Sequence, residues 1–492
     1  MLFHRLIKLL NSQDIKYCHW KSNRYLGDIR KGEVEYDLLI ARQYIAKFEA
    51  LVIQLGFKRA IVPHAHHLPG VHHFYGYDGE EDLIVHIHAF YNLITGESIA
   101  KNYRLPFERM LLQHQMWQDD IPIPPKSAQL VIFVIRMMVK HGSLIEMLLA
   151  WREYDSIIEE LDWLTSDEQV IPQALEQLEA WVPSIDATLF CTAIGSLRNR
   201  SSFVKRMIVG RVFKCRLRLY RRYPPVKVFF LTMFRLLRGI KHRIEKTTAS
   251  IKSFPSGGAV IAFVGPEATG KSTLVTEAHS FLGRFCHVEI VHLGKPPSTA
   301  FSILPNLLLP FLKKLIPSLR TSRIESSKHN GIIRQDSFLK MIILAIRAIM
   351  VARDRRVLAT KIFRKAARGA IIICDRYPSN VVGAADSPRL DESNEMGVWS
   401  HIYRIMVRIE RKIYASIPTP DYVIRLSVPL EVALSRNEQR RKKGNESDEY
   451  VRRRHEESNK ASFPASFVYD ISTEKPLEES VREVRKAMWN ML

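Results

Sequence analysis

Gly265 is followed at a fixed interval by Gly270, Lys271 and Ser272 in the string GPEATGKST. Residues of these types at the spacing G-x-x-x-x-G-K-[ST] hold phosphates. The glycines let backbone N–H groups crowd around an anion, the lysine neutralises it, and the hydroxyl reaches a divalent cation. The candidate set is Gly265, Thr269, Gly270, Lys271, Ser272 and Thr273. Lys271 would meet the β and γ phosphates of a nucleoside triphosphate and Ser272 a magnesium ion.

A second group of chemical residues ends the run RGAIIICDRYPSN, where Asp375 and Arg376 follow an apolar stretch. A carboxylate at the C-terminal end of a parallel strand can organise magnesium, and a guanidinium beside it can clamp a phosphate. A third group lies in EVALSRNEQRRKKGNESDEYVRRRHEE, where Arg436, Arg440, Arg441, Lys442 and Lys443 crowd a polar segment. Closing several guanidinium groups over a transferring phosphoryl would stabilise its charge and exclude water.

These groups need elements to position them. AVIAFVG, before the glycines, is the apolar, β-branched pattern of a buried parallel strand, and KSTLVTEAHSFLGRF after them has helical periodicity. AIIIC, DYVIRLSV and SFVYDIST read as further strands, and LEESVREVRKAMWNML as a closing helix. The expectation is an α/β P-loop NTPase domain with a parallel sheet and flanking helices over residues 259–492.

Together, GPEATGKST, CDRYP and PDYVIRLSVPLEVALSR resemble the thymidylate kinase family of P-loop nucleoside monophosphate kinases. The resemblance implies ATP and Mg2+ as cofactors and a small phosphorylated acceptor. It implies catalytic roles for Lys271, Asp375, Arg376, Arg436 and Arg440, with Ser272 and Asp375 on the metal. The family's acceptor-binding arginine on the helix before the DR motif corresponds to Arg353 or Arg355 in MVARDRRVL. Where the family carries R-E-P-G this chain has VHLGKPPST, so Lys295 joins Arg376 among the acceptor-binding candidates. The departure leaves the acceptor's identity open.

The N-terminal segment YCHWKSNRYLGDIRKGEVEYDLLIARQYIAKFEALVIQLGFK resembles the nucleotidyltransferase superfamily. Ser22 and Asn23 stand at the turn, and Glu35 and Asp37 stand for the metal-binding carboxylate pair. Alternate strand positions point to one face, so both carboxylates can meet one cation. The resemblance implies an α+β fold over residues 1–100 and a second, nucleotidyltransferase-like activity. The next strand, LIVHIHAF, carries His86 and His88 where a third carboxylate is expected. With His64, His66, His67, His72 and His73 they form a dense histidine group. We read it as a polar, ligand-facing loop, the alternative being a transition-metal site with Asp37.

Residues 101–192 carry apolar side chains at helical spacing, as in a small bundle, and residues 193–258 form a basic connector ending in SFPSGG. The net charge of +22 is concentrated between Arg198 and Lys246. PPVKVFFLTMFRLLRGIKHRI reads either as an in-plane helix on an anionic membrane or as a packed helix with a solvated basic face. No nucleic-acid recognition motif accompanies the charge, so a nucleic-acid partner is not expected. Five scattered cysteines give no disulfide or zinc framework, and the first residues lack an export signal's apolar run, so the expected location is cytoplasmic or membrane-peripheral. Self-association stays open. The alternative to catalysis is a nucleotide-dependent switch docked on a membrane or a cell-surface polysaccharide assembly.

Overall fold

Alternation along EVEYDLLI decides the first sheet. The computed structural model describes residues 1–28, 33–63, 67–97, 100–142, 146–147, 154–244, 252–299, 335–391, 400–439, 447–464 and 466–492. Strands Tyr17–His19 (β1), Glu33–Ile40 (β2), Lys58–Ala60 (β3), Val71–Asp78 (β4) and Leu83–Phe90 (β5) lie in the order β1-β2-β5-β4-β3. β2 and β5 are parallel, and the other neighbours antiparallel. Val34, Tyr36, Leu38 and Ile40 pack on the helices Leu2–Ser12 and Ile45–Gln54 through Phe3, Leu6, Leu10, Phe48 and Val52. The intervening Glu33, Glu35 and Asp37 therefore face the opposite side.

On that opposite side Leu39, Cys18, Trp20 and Phe90 join the core of a helical bundle. Its helices are Lys126–His141, Tyr154–Leu164, Val170–Trp181, Ala187–Arg198 and Phe203–Arg216. Two short hairpins, Leu93–Thr95 (β6) with Tyr103–Leu105 (β7) and Met116–Gln118 (β8) with Ile121–Ile123 (β9), lie between sheet and bundle in sequence. Buried Arg206 donates to the Tyr154 hydroxyl and to the carbonyls of Ser196, Asn199 and Arg200, closing the C-terminal end of Ala187–Arg198. Sheet, bundle and the following helix Pro225–Ile244 belong to one unit, Met1–Thr248.

The second unit, Ala249–Leu492, is built on five parallel strands. They are Val260–Val264 (β10), Val288–His292 (β11), Ile371–Asp375 (β12), Tyr422–Ser427 (β13) and Phe467–Ser472 (β14), in the order β11-β12-β10-β13-β14. Every residue of β10 is buried, as a central strand covered on both faces requires. Val260, Ala262, Ile372 and Cys374 pack on the helix Gln335–Ala366, whose Ala345, Ala352, Ala359 and Ala366 recur at intervals of seven and are all buried. Seven residues are close to two helical turns, so these small side chains share one side and let the helix lie close to its neighbours. Phe254, Phe281, Phe285 and Trp489 meet edge to face between the helices Lys271–Leu282 and Leu477–Met491.

The alanine side of Gln335–Ala366 fixes where Asp354 and Arg355 stand. Ala352→Leu should overpack that contact and lower the stability of this unit by about 1–3 kcal/mol, measured by urea unfolding.

Candidate functional site

In Ala249–Leu492 the strand order reverses at β10. β11 and β12 lie on one side of it, β13 and β14 on the other. The crevice at the C-terminal ends of such strands is where an open parallel sheet takes ligands.

β10 leads into the glycine loop there. Gly265 has φ +151° and lies so close to the Leu426 carbonyl of β13 that no Cβ would fit. Ala268 and Gly270 also have positive φ, and Lys271 starts the helix. The Lys271 ammonium is buried, folded back on the carbonyls of Gly265, at 3.0 Å, and Pro266. Burial, partly offset by Glu267, pulls its pKa down to about 8. Ser272 and Thr273 stand exposed in the first helical turn, and Thr269 is buried, its hydroxyl on the Pro266 carbonyl at 3.0 Å.

Asp375 ends β12, paired in register with Phe263 of β10. Its Oδ2 is 3.9 Å from His292 Nε2, while its buried Oδ1 has no hydrogen-bond partner among the described residues. Arg376 follows with φ +69°, its N–H on the Phe263 carbonyl. Its guanidinium reaches Glu267 of the loop at 2.6 Å and Asp386 at 3.5 Å. Asp386 also meets Arg355 at 3.2 Å and Arg454 at 3.3 Å, and Arg454 lies 3.8 Å from Glu267. Burial alone would raise the carboxyls of Glu267 and Asp386. Lys271, Arg376 and Arg454 around Glu267, and Arg454, Arg355 and Arg376 around Asp386, hold both below the usual range.

This network forms one wall of a pocket of about 610 Å³. Lys295, Arg347, Arg389, Leu344, Val351 and Tyr450 line its remainder. Of the two arginines expected on the long helix, Arg355 lines the pocket and Arg353 lines a separate hollow with Arg356 and Lys361. Arg355 is engaged with the carbonyls of Leu293, Gly294 and Asp386 and with the Tyr414 hydroxyl. Arg436 donates to the Thr473 carbonyl at 2.7 Å. Arg440 lies outside the described residues.

Sequence reasoning passed over Glu267, Asp386 and Arg454. Glu267 occupies a free position of the motif, Asp386 sits in a turn at φ +59°, and Arg454 stands near the C-terminal end of the basic string, eleven positions past the cluster Arg440–Lys443. The local signal for Arg454 is the arginine run VRRRH, within the string that carries the basic segment.

In Met1–Thr248 one atom each from Glu35, Asp37 and His88 lie within 4.8 Å of one another. Register explains this, since Asp37 pairs with His88 and Glu35 with His86 across β2 and β5. His73 stacks on His88 with ring centroids 4.3 Å apart and contacts His86 at 3.0 Å. Burial alone would raise the Asp37 carboxyl, but Lys21 at 2.8 Å and His88 at 3.1 Å hold it well below the usual range. His72 points elsewhere, to Glu49 and Arg59, while His64 and His66 lie outside the described residues. Ser22 has φ +56°, and Asn23 is buried against His19 and Gln129.

No protein-family model matches the chain. Over 201 residues it is 26% identical to the uncharacterized ATP-binding protein YghR of Escherichia coli strain K12, covering 39% of this chain and 73% of that protein. Among solved structures, thymidylate kinase from Candida albicans aligns with a TM-score of 0.27 and 16% identity, over 48% of this chain and 91% of its own. Deoxyadenosine kinase from M. mycoides with bound dATP aligns with a TM-score of 0.26 and 15% identity, over 47% and 98%.

Because the Asp386 carboxyl titrates below its unfolded value, its contribution to stability is complete above the unfolded pKa and fades as pH falls through the folded one. Asp386→Asn should therefore cost about 3 kcal/mol at neutral pH, with the gap to the parent protein closing in acid, read by urea unfolding across pH.

Proposed function

We propose that Ala249–Leu492 transfers a phosphoryl group from ATP to a small phosphorylated acceptor. The observation that carries this reading is that Arg376 joins the glycine loop to the cation-lined pocket through Glu267 and Asp386. Donor and acceptor would meet at that residue. Gly265, Thr269, Gly270, Lys271, Ser272 and Thr273 would hold the triphosphate, with Lys271 turning from the carbonyls of Gly265 and Pro266 to the phosphates. Ser272 and Asp375 would hold Mg2+, for which the Asp375 Oδ1, without a hydrogen-bond partner among the described residues, is a fitting donor, and the ion when bound neutralises phosphate charge. Arg376 would stabilise the transferring group. Lys295, Arg347 and Arg389 would receive the acceptor's phosphate, while Arg355, engaged with three carbonyls, shapes the pocket. Catalysis would come from positioning and charge stabilisation.

The test is ATP turnover with magnesium against a panel of acceptors: thymidine monophosphate, other nucleoside monophosphates and sugar phosphates. Lys271→Ala and Arg376→Ala should each lower turnover by about a hundredfold or more. Tight ATP binding with no acceptor phosphorylated would replace this reading with the nucleotide-dependent switch.

The convergence of Glu35, Asp37 and His88 supports a second reading, that Met1–Thr248 is a metal-dependent, nucleotidyltransferase-like module. An imidazole among the donors suits a transition ion such as Zn2+ better than Mg2+. Lys21 now meets the charge of Asp37, so an arriving cation would displace its ammonium. Titration calorimetry with Zn2+ should give binding that weakens about tenfold or more in His88→Ala and is lost in Asp37→Asn. Absence of binding in the parent protein would remove the metal from this module.

A further inference from the structure

Helix Pro225–Ile244 turns its more apolar side outward. Val226, Phe229, Phe230, Met233, Phe234 and Leu237 recur at intervals of three and four, and each is between 43% and 68% exposed. At 100° per residue they cover an arc of about 140°. Val228, Leu231 and Thr232, on the other side, are half-buried. A surface helix of a globular protein places its apolar stripe toward the core, so this stripe is shaped for something other than the protein's own interior.

Charge says what that is. Residues 198–246 contain sixteen Lys and Arg and a single acid, Glu245. Some of these cations serve the fold: Arg206 closes a helix end, Lys214 pairs with Glu97, and Arg222 donates to the Lys101 carbonyl. Lys205, Arg211, Arg216, Arg218 and Lys227 are exposed. An isologous contact between two copies of the helix would bring two such belts of one sign together. A surface of phosphate headgroups complements them.

No helix among the described residues is long and apolar enough to cross a membrane, and Lys227, Arg235, Arg238 and Lys241 punctuate this one. We propose that Pro225–Ile244 lies in the plane of an anionic lipid bilayer. Its Phe, Met, Leu and Val stripe would sink to the boundary of headgroups and acyl chains, and the cations of residues 198–246 would meet lipid phosphates. The stripe supplies apolar burial, and the belt selects the sign of the lipid. Nothing in this depends on the phosphoryl-transfer reading, because the helix belongs to the other unit.

The experiment is co-sedimentation of the full-length protein with vesicles of phosphatidylcholine alone or mixed with phosphatidylglycerol, at low and high salt. Binding is expected on the mixed vesicles and should weaken with salt. The pair Phe229→Ser and Phe234→Ser should lower partitioning about tenfold or more. Lys227→Glu should weaken binding on the mixed vesicles. Both residues of the pair are exposed, and an unchanged far-ultraviolet spectrum will confirm that the variant folds. No binding of the parent protein at low salt would overturn the proposal, as would binding undiminished in the double variant. A parent protein that ignores vesicles but forms a dimer broken by the double variant would replace the bilayer with a second copy of the chain.

Discussion

The ion network around Arg376 is the constraint on which the second unit's site depends. Among the described residues five segments meet in it: the glycine loop through Glu267, the end of β12 through Arg376, the turn at Asp386, the helix Gln335–Ala366 through Arg355, and the helix Asp448–Asn459 through Arg454. The buried Asp386 and the half-buried Glu267 would be untenable alone as carboxylates, and the guanidinium groups between them make their burial tolerable. The arrangement is therefore mutual. Withdrawing one member leaves another charged, dry and unpaired, so loop and pocket wall hold one geometry together. Arg376 accepts a left-handed backbone conformation within this arrangement, its N–H held by the central strand.

The same rule operates in Met1–Thr248 with different partners. Asp37 projects from a strand onto the face without helices Leu2–Ser12 and Ile45–Gln54, where burial would force protonation but for Lys21 and His88. The histidines stack ring on ring beside it, giving a polar surface whose donors face one way. In both units the protein positions potential ligands by first solving the problem of keeping its own charges in place.

What was legible in the sequence follows from how local each feature is. The glycine loop could be read because strand, turn and helix are contiguous and the spacing itself carries the geometry. β10, β12, β13 and β14 were legible as apolar runs, and Asp375 and Arg376 as the end of one of them. Asp386 and Arg454 were not legible, because they are 68 positions apart and nothing local pairs a turn aspartate with a helix arginine. His86 and His88 were legible where a third metal-binding carboxylate is expected, but that His88 rather than His86 is the one opposite Asp37 depends on the parallel register of β2 and β5, which composition does not contain. Helix Pro225–Ile244 was legible as amphipathic, but which side faces outward is a property of the packing alone.

The pocket carries an electrostatic argument of its own about what can occupy it. Among the described residues Lys295, Arg347, Arg355, Arg376, Arg389 and Arg454 face Glu267, Asp354, Asp386 and Glu410, six cations against four carboxyls. The carboxyls are largely engaged: Asp354 accepts from Thr299, Glu410 from the N–H groups of Arg389 and Leu390, and the other two from the arginine network. Burial also raises the Glu410 carboxyl, which reduces its share of negative charge. The pocket is thus internally satisfied on its acidic side and in surplus on its basic side. A neutral ligand would leave that surplus in place and remove water from it, at a cost in free energy. A ligand bearing about two negative charges would offset it, and a phosphate monoester is the commonest small group that does so with oxygens spaced for guanidinium forks.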